Sequence, residues 1–173
     1  MRDSVLRPLD PVRDGPALHA IFGDEESCRY LPAPAFKTVE ETIVQLKTWT
    51  DGYGDTSWAI VEAPGGEALG RAAIYRPVED DGVWEVAVMV VPSAQGRGLA
   101  ARAVAEAVNF GFDRKGARRI FADIDPDNTA SVKVFERLGF HYEGRARALW
   151  KTHIGVRDSL IYSLLASDPR PGV

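Results

Sequence analysis

The sequence predicts an α+β fold, a mixed and mostly antiparallel sheet with helices on both faces. Three observations carry this. Three strand-like runs follow one another across tight turns rich in Gly, Pro and Asp, the pattern of an antiparallel meander. The third run is separated from a fourth by one long amphipathic helix, the kind of connection that parallel pairing requires. A last pair of strand-like runs then closes the chain after a short helix. The 173 residues suit one domain, 1–173, with a sizeable core and a frayed tail over 168–173, where Pro169, Pro171 and Gly172 cluster.

Residues 5–9 read as a short strand, ended by Pro8 and Pro11. Residues 15–22 read as a helix with Leu18, Ile21 and Phe22 on its apolar side. Residues 25–36, which include Pro32 and Pro34, read as irregular. Thr38-Val39-Glu40-Glu41 is a capping box, with Thr38 as N-cap and Glu41 three residues on. It opens a helix to about residue 50 that buries Val39, Ile43, Leu46 and Trp49. After a turn at 52–55 come a strand over 57–62, a turn at Pro64-Gly65-Gly66 and a return strand over 68–75.

Asp80-Asp81-Gly82 turns the chain into residues 83–91, a run so dense in β-branched residues that it reads as buried on both faces. Pro92 removes a backbone donor and stops it. A helix begins at Gly98. Its small and apolar face is Leu99, Ala100, Ala103, Val104, Ala107, Val108, Gly111 and Phe112; Arg102, Glu106, Asn109 and Asp113 form the other. Residues 119–124 make a strand parallel to 83–91. A helix over 128–138 is closed by Gly139 at C′. Strands over 140–150 and 154–165 complete the sheet.

Composition narrows the classes of function. Hydrophobic content of 45% and charged content of 27% are ordinary for a soluble globular protein. The formal net charge of −4 argues against nucleic acid as the main ligand and suits cationic or amine substrates. The single cysteine, Cys28, excludes an internal disulfide, and with three scattered histidines it leaves no dedicated metal site. No apolar run of membrane-spanning length and no leader pattern is visible, so no membrane is expected as a partner and the location is read as cytoplasmic.

The informative segment is the junction Pro92 to Ala100. A strand that feeds a glycine turn at a helix start aims several free N–H groups at one point, backed by the positive end of the helix dipole. That is an anion site, suited to a phosphate or pyrophosphate. Gly96 and Gly98 let a ligand approach the main chain. The spacing is neither Gly-x-x-x-x-Gly-Lys-Ser/Thr nor Gly-x-Gly-x-x-Gly, so neither a nucleoside triphosphate loop nor a dinucleotide fingerprint is implied.

Gln95-Gly96-Arg97-Gly98-Leu99-Ala100 resembles the acetyl-CoA signature of the GNAT acetyltransferase superfamily, Arg/Gln-x-x-Gly-x-Gly/Ala, filled here by Gln95, Gly98 and Ala100. A second segment, Asn128-Thr129-Ala130-Ser131 leading to Gly139-Phe140 and Glu143-Gly144, resembles the Asn-x-x-Ser … Gly-Phe region of the same family. The resemblance covers nearly the whole chain. It implies the GNAT acyl-CoA N-acyltransferase fold, with its parallel strand pair splayed apart. Asn-x-x-Ser, Gly-Phe-x-x-Glu-Gly, Asp158, Tyr162 and the early Leu-Arg-Pro-Leu look like the branch that acetylates ribosomal-protein N-termini. Similar chains acetylate peptide N-termini, polyamines or antibiotics, and some use succinyl-CoA.

The resemblance implies acetyl-CoA as cofactor, with CoA as product, and an amine substrate as partner: a peptide N-terminus or a small molecule. The backbone of Gln95, Gly96, Arg97, Gly98, Leu99 and Ala100 would hold the pyrophosphate, with side-chain help from Gln95 and Arg97; a solvated loop cation is the competing reading of Arg97. Backbone groups of Met89, Val90 and Val91 would pair with the pantetheine arm, and an N–H near Met89 or Val90 would face the thioester oxygen. Asn128 would hold pantetheine by its amide, with helix capping by Asn128 or Asp127 as the competing role.

A protonated amine is no nucleophile, so a base is needed. Glu85 is the one acid inside the 83–91 run, on the alternating face with Ala87, Met89 and Val91, and burial would raise its pKa. The rival view makes it a solvated or arginine-paired residue at the strand start. Asp158 is the reserve base, with a structural role weighed above it. The departing thiolate needs a donor: many family members use a Tyr where this chain has Phe135, and Ser131 is the hydroxyl left close by. Its alternative is a bond to a preceding carbonyl. Tyr142 and Tyr162 read as packing residues. Tyr30, Phe36, Trp84 and Trp150 are pocket-wall candidates, with a simple core role weighed above that for each. Nothing marks Cys28 as a covalent relay. A non-catalytic acyl-CoA-binding regulatory module is the rival class, and the acceptor, the acyl length and a homodimer stay open.

Overall fold

The computed structural model describes residues 5–51, 55–77 and 81–172. The turns expected at 52–55 and at Asp80 lie largely outside these residues. One seven-stranded sheet is formed by β1 (Leu6–Pro8), β2 (Thr56–Ile60), β3 (Gly70–Tyr75), β4 (Val83–Val90), β5 (Arg119–Ile124), β6 (His141–Thr152) and β7 (Gly155–Leu165). Their order is β1-β2-β3-β4-β5-β7-β6, and every neighbouring pair is antiparallel except β4 and β5. Helices α1 (Pro11–Phe22), α2 (Val39–Thr50), α3 (Leu99–Lys115) and α4 (Thr129–Arg137) cover the sheet.

Local chemistry explains most boundaries. Helix α1 starts earlier than expected because Asp10 caps it, accepting from the amides of Val12 and Arg13, and Pro11 sits where no donor is needed. Pro16 is absorbed inside it. The capping box at Thr38 and Glu41 is present at α2, and Thr42 is fully buried with Leu46 while Val39, Ile43 and Trp49 are half-buried. Gly139, with φ +82, follows the last turn of α4 as expected. A short 3-10 turn, Pro92–Ala94, stands between β4 and the glycine loop.

Two expectations need correction. Residues of β4 are not buried on both faces: Trp84 and Val86 are buried, whereas Glu85, Ala87 and Met89 are half-buried because their face looks into a cleft. The tail is held rather than frayed. The Asp168 carboxylate accepts from the Leu165 amide (2.8 Å), and Arg170 lies 4.3 Å over the Phe112 ring.

Helix α3 packs on one face of the sheet, where a Cβ added at Gly111 would meet Ile120 and Ile74. Helices α1 and α2 take the other, α2 bringing Trp49 against Arg71 of β3. The decisive feature lies between them. Strands β4 and β5 pair only at Val83↔Arg119, Trp84↔Ile120 and Glu85↔Phe121. Beyond Glu85 they part, β4 keeping β3 and β5 keeping β7. Among the described residues no helix is long and apolar enough to cross a membrane.

Candidate active site

Where β4 and β5 part, a cleft of about 410 Å³ opens. Glu85 and Met89 reach it from β4, Asp123 from β5, and Asn128 and Ser131 from the start of α4. The structure thus brings the expected base, the expected hydroxyl and the expected amide to one place, although they come from two distant segments.

Burial pushes the Glu85 carboxyl up to about 7; the Tyr75 hydroxyl, which donates to it, opposes the push, and the nearby Asp123 adds to it. Tyr75 is the register partner of Glu85 on β3, and burial drives its phenol up. Asp123 accepts from the Trp150 indole N–H (2.6 Å). Ser131 Oγ makes no hydrogen bond among the described residues, so the alternative bond to a preceding carbonyl is not formed. Asn128 is the N-cap, its Oδ1 accepting from the Ser131 amide (3.2 Å); its NH₂ has no acceptor among the described residues. Asp127 is occupied elsewhere: Arg157 clamps Asp125 (2.8 Å) and Asp127 (2.5 Å), fixing the turn before α4 to β7.

Asp158 also borders the cleft, but it takes the structural role. It accepts from the Ala148 amide (2.7 Å) and from Arg145 (2.7 Å), and these bonds hold its carboxyl below the usual range. The residue it fixes, Ala148, has φ +51. Of the four aromatic wall candidates, Tyr30 and Trp150 line the cleft. Trp84 is buried on the opposite face, and Phe36 packs 6.5 Å from Phe22. Tyr162 donates to Glu136 (3.1 Å) and stacks with Tyr142.

The other expected residues gather beyond the end of β4. Gly96 and Gly98 have φ +77 and +76 and open space where a Cβ would stand. Helix α3 has no side-chain cap, and its first bond runs from the Arg102 amide to the Gly98 carbonyl (3.2 Å), so the amides before Arg102 are left for an anion. This cradle fits a pyrophosphate. The side chains do less than expected. Arg97 is paired with Glu62 (2.6 Å), Gln95 donates back to the Val90 carbonyl (3.3 Å), and Leu99 and Val91 are core. For Leu99, Ala100 and the end of β4, only backbone groups remain to serve a ligand.

Residues 4–141 match the family model described as the acetyltransferase (GNAT) domain. The chain belongs to the GNAT acetyltransferases. It is 24% identical over 164 residues to the uncharacterized N-acetyltransferase YoaA of Bacillus subtilis (strain 168), covering 93% of this chain and 92% of that protein. It is 32% identical over 145 residues to the spermidine N(1)-acetyltransferase of Escherichia coli (strain K12), covering 80% of this chain and 73% of the relative. Among solved structures, a probable GNAT-family acetyltransferase from Chromobacterium violaceum ATCC 12472 superposes with a TM-score of 0.84 at 28% identity, covering 93% of this chain and 82% of that one. This GNAT chain differs from its sequence reading mainly in what surrounds Glu85. Arg71, Tyr75, Asp123, Trp49 and Asp55 all line the cleft, and the sequence pattern marks none of them as a site residue. The signal available was alternation: residues 71, 73 and 75 share the face of β3 that opposes Met89, Ala87 and Glu85.

Proposed function

We propose that this chain transfers the acetyl group of acetyl-CoA to a primary amine by direct attack in a ternary complex, in the cytoplasm. The observation that supports this best is Glu85: a carboxyl buried to a pKa of about 7 at the point where β4 and β5 separate, in the same cleft as a Ser131 hydroxyl that makes no hydrogen bond among the described residues. Acetyl-CoA supplies an activated thioester carbonyl when bound. The amides of Gly96, Arg97, Gly98, Leu99 and Ala100 would grip its diphosphate, helped by the dipole of α3. The edge of β4 at Met89 and Val90 and the Asn128 amide, which has no acceptor among the described residues, would hold the arm. Glu85 accepts the proton of the bound ammonium, directly or through water, and a group poised near neutrality does so without holding the proton too tightly. Ser131 would offer a hydrogen bond to the sulfur as it leaves. Asp158 is left out as base, since its oxygens are committed to Ala148 and Arg145.

The acceptor is an amine drawn to a cleft with Glu85, Asp123 and Asp55 in its walls. A peptide N-terminus, as the Asn-x-x-Ser branch suggests, and a small amine, as the name of the Escherichia coli relative suggests, both fit this chemistry. CoA release measured over N-terminal peptides, polyamines and aminoglycosides, with acetyl- and succinyl-CoA compared, chooses between them. Glu85→Gln is expected to lower kcat by about 100-fold or more with little change in acetyl-CoA affinity, and Ser131→Ala to lower it less. Unchanged turnover in Glu85→Gln at saturating amine removes the base assignment. Tight binding with no turnover on any amine returns the chain to the regulatory reading.

A further inference from the structure

One cation in the cleft is not used by acetyl transfer. Arg71 opposes Met89 on the face of β3 that carries Tyr75. Its side chain bends along the strand: Nη2 donates to Ser57 Oγ (2.9 Å), and Ser57 is the β2 partner of Ala73, so the guanidinium lies over Ala73, toward Tyr75. Trp49 of α2 closes over it, with Cζ 4.6 Å from the ring centroid. Burial pulls this guanidinium down to about 10, which still leaves it charged near neutrality.

Several other arginines have a carboxylate partner. Arg7 has Asp14, Arg97 has Glu62, Arg119 has Glu143, Arg145 has Asp158, and Arg157 has Asp125 and Asp127. Among the described residues Arg71 forms no ion pair, and Asp55 and Tyr75 act on it only through space. Its Nε is buried without an acceptor. An enclosed guanidinium with idle N–H groups is unfavourable for the fold alone, yet it offers the planar fork that a carboxylate accepts in bidentate fashion. Glu85 and Asp123 stand at one end of the cleft, and Arg71 against Trp49 at the other, where Asp55 acts on it only through space.

We infer that Arg71 binds a carboxylate of the acceptor, so that the molecule acetylated carries both an amine and a carboxylate, as a free amino acid or short peptide does. This rests on the proposed base role of Glu85, which places the amine end. The register sets the scale: Ala73 is two residues, about 7 Å along the strand, from the Tyr75–Glu85 pair. A long polyamine leaves the Arg71 fork without an acceptor, whereas a compact zwitterion satisfies both Glu85 and Arg71.

The test is calorimetric binding to the full chain with CoA present, using glycine, β-alanine, γ-aminobutyrate and glycylglycine beside their carboxamides and spermidine. The carboxylates are expected to bind at least about tenfold more tightly than the amides, and Arg71→Gln to erase that preference, Arg71→Lys keeping part of it. CoA affinity should not move. Melting temperature separates this from a scaffolding role: Arg71→Gln is expected to melt at or above the parent, because a half-buried charge without an ion-pair partner among the described residues has been removed, while a structural arginine would leave a less stable protein. Equal binding of acids and amides, no binding of any acid, or preference retained in Arg71→Gln overturns the inference. Glu85→Gln turnover is read separately, so a failed base assignment is told apart from a failed carboxylate site.

Discussion

At the scale of single residues, Glu85 carries two opposed consequences of the same burial. Its carboxyl is held at about 7 against an ordinary 4.5, first by loss of solvent and then by Asp123, with the Tyr75 hydroxyl pulling the other way. As a base it works only when ionised, so kcat/KM should rise with pH and level off above about 7, and that limb should vanish in Glu85→Gln. For stability the sign reverses. Between pH 4.5 and 7 the unfolded chain has already released this proton while the folded chain retains it, so stability falls as pH climbs through that window. The shift corresponds to about 3 kcal/mol at most. Thermal melts of Glu85→Gln and the parent at pH 5 and pH 8 should therefore diverge, with the variant more stable at pH 8 and nearly equal at pH 5. A variant less stable at pH 8 would mean that the ionised carboxylate has a compensating partner. Glu85 was legible in the sequence because one acid in an apolar run is conspicuous. Arg71 and Tyr75 were not, since their meaning lies in the β3–β4 register and in the Trp49 ring above them, neither of which a single strand pattern reveals.

At the scale of elements, what could be read locally was read well. The capping box of α2, the glycine closing α4 and the parallel β4–β5 pair all follow from short-range chemistry or from connection length. The start of α1 was missed because Pro11 and Pro16 look like breakers, although one sits at the first turn where its missing donor is harmless. The junction of β4 and α3 is the element whose conformation matters most. Gly98 has φ +76 with nothing within 4 Å of where a Cβ would be, so Gly98→Ala meets no clash inside the protein and incurs only the left-handed backbone penalty, about 1–2 kcal/mol. For a chain of this size that is a fall in Tm of a few degrees, at about 2–4 °C per kcal/mol. The same methyl group would occupy the space that the proposed diphosphate site offers. Calorimetry on Gly98→Ala should therefore show the CoA Kd raised by tenfold or more, out of proportion to the small change in Tm. A Kd that does not move would place the diphosphate elsewhere.

At the scale of the molecule, the sheet is interrupted at its centre. Three register pairs join β4 to β5, and then residues 86–90 run on with β3 on one side only. Backbone polar groups this close to a core want partners, and a chain of amides lying in the split would supply them as an extra strand does. Coenzyme A carries such an arm; adenosine 3′,5′-bisphosphate shares its nucleotide end and lacks it. At 100-fold over Kd either ligand adds about 2.7 kcal/mol to stability by mass action, so melting alone does not separate them. Hydrogen exchange does. With CoA, amides among residues 86–90 should exchange more slowly, together with those at the Gly96–Gly98 loop. The bisphosphate should leave the strand amides unchanged. Equal protection of β4 by both ligands would mean that the split is closed by a general tightening of the sheet and not by the arm, and the assignment of Met89 and Val90 to the cofactor would then fall while the loop assignment stood.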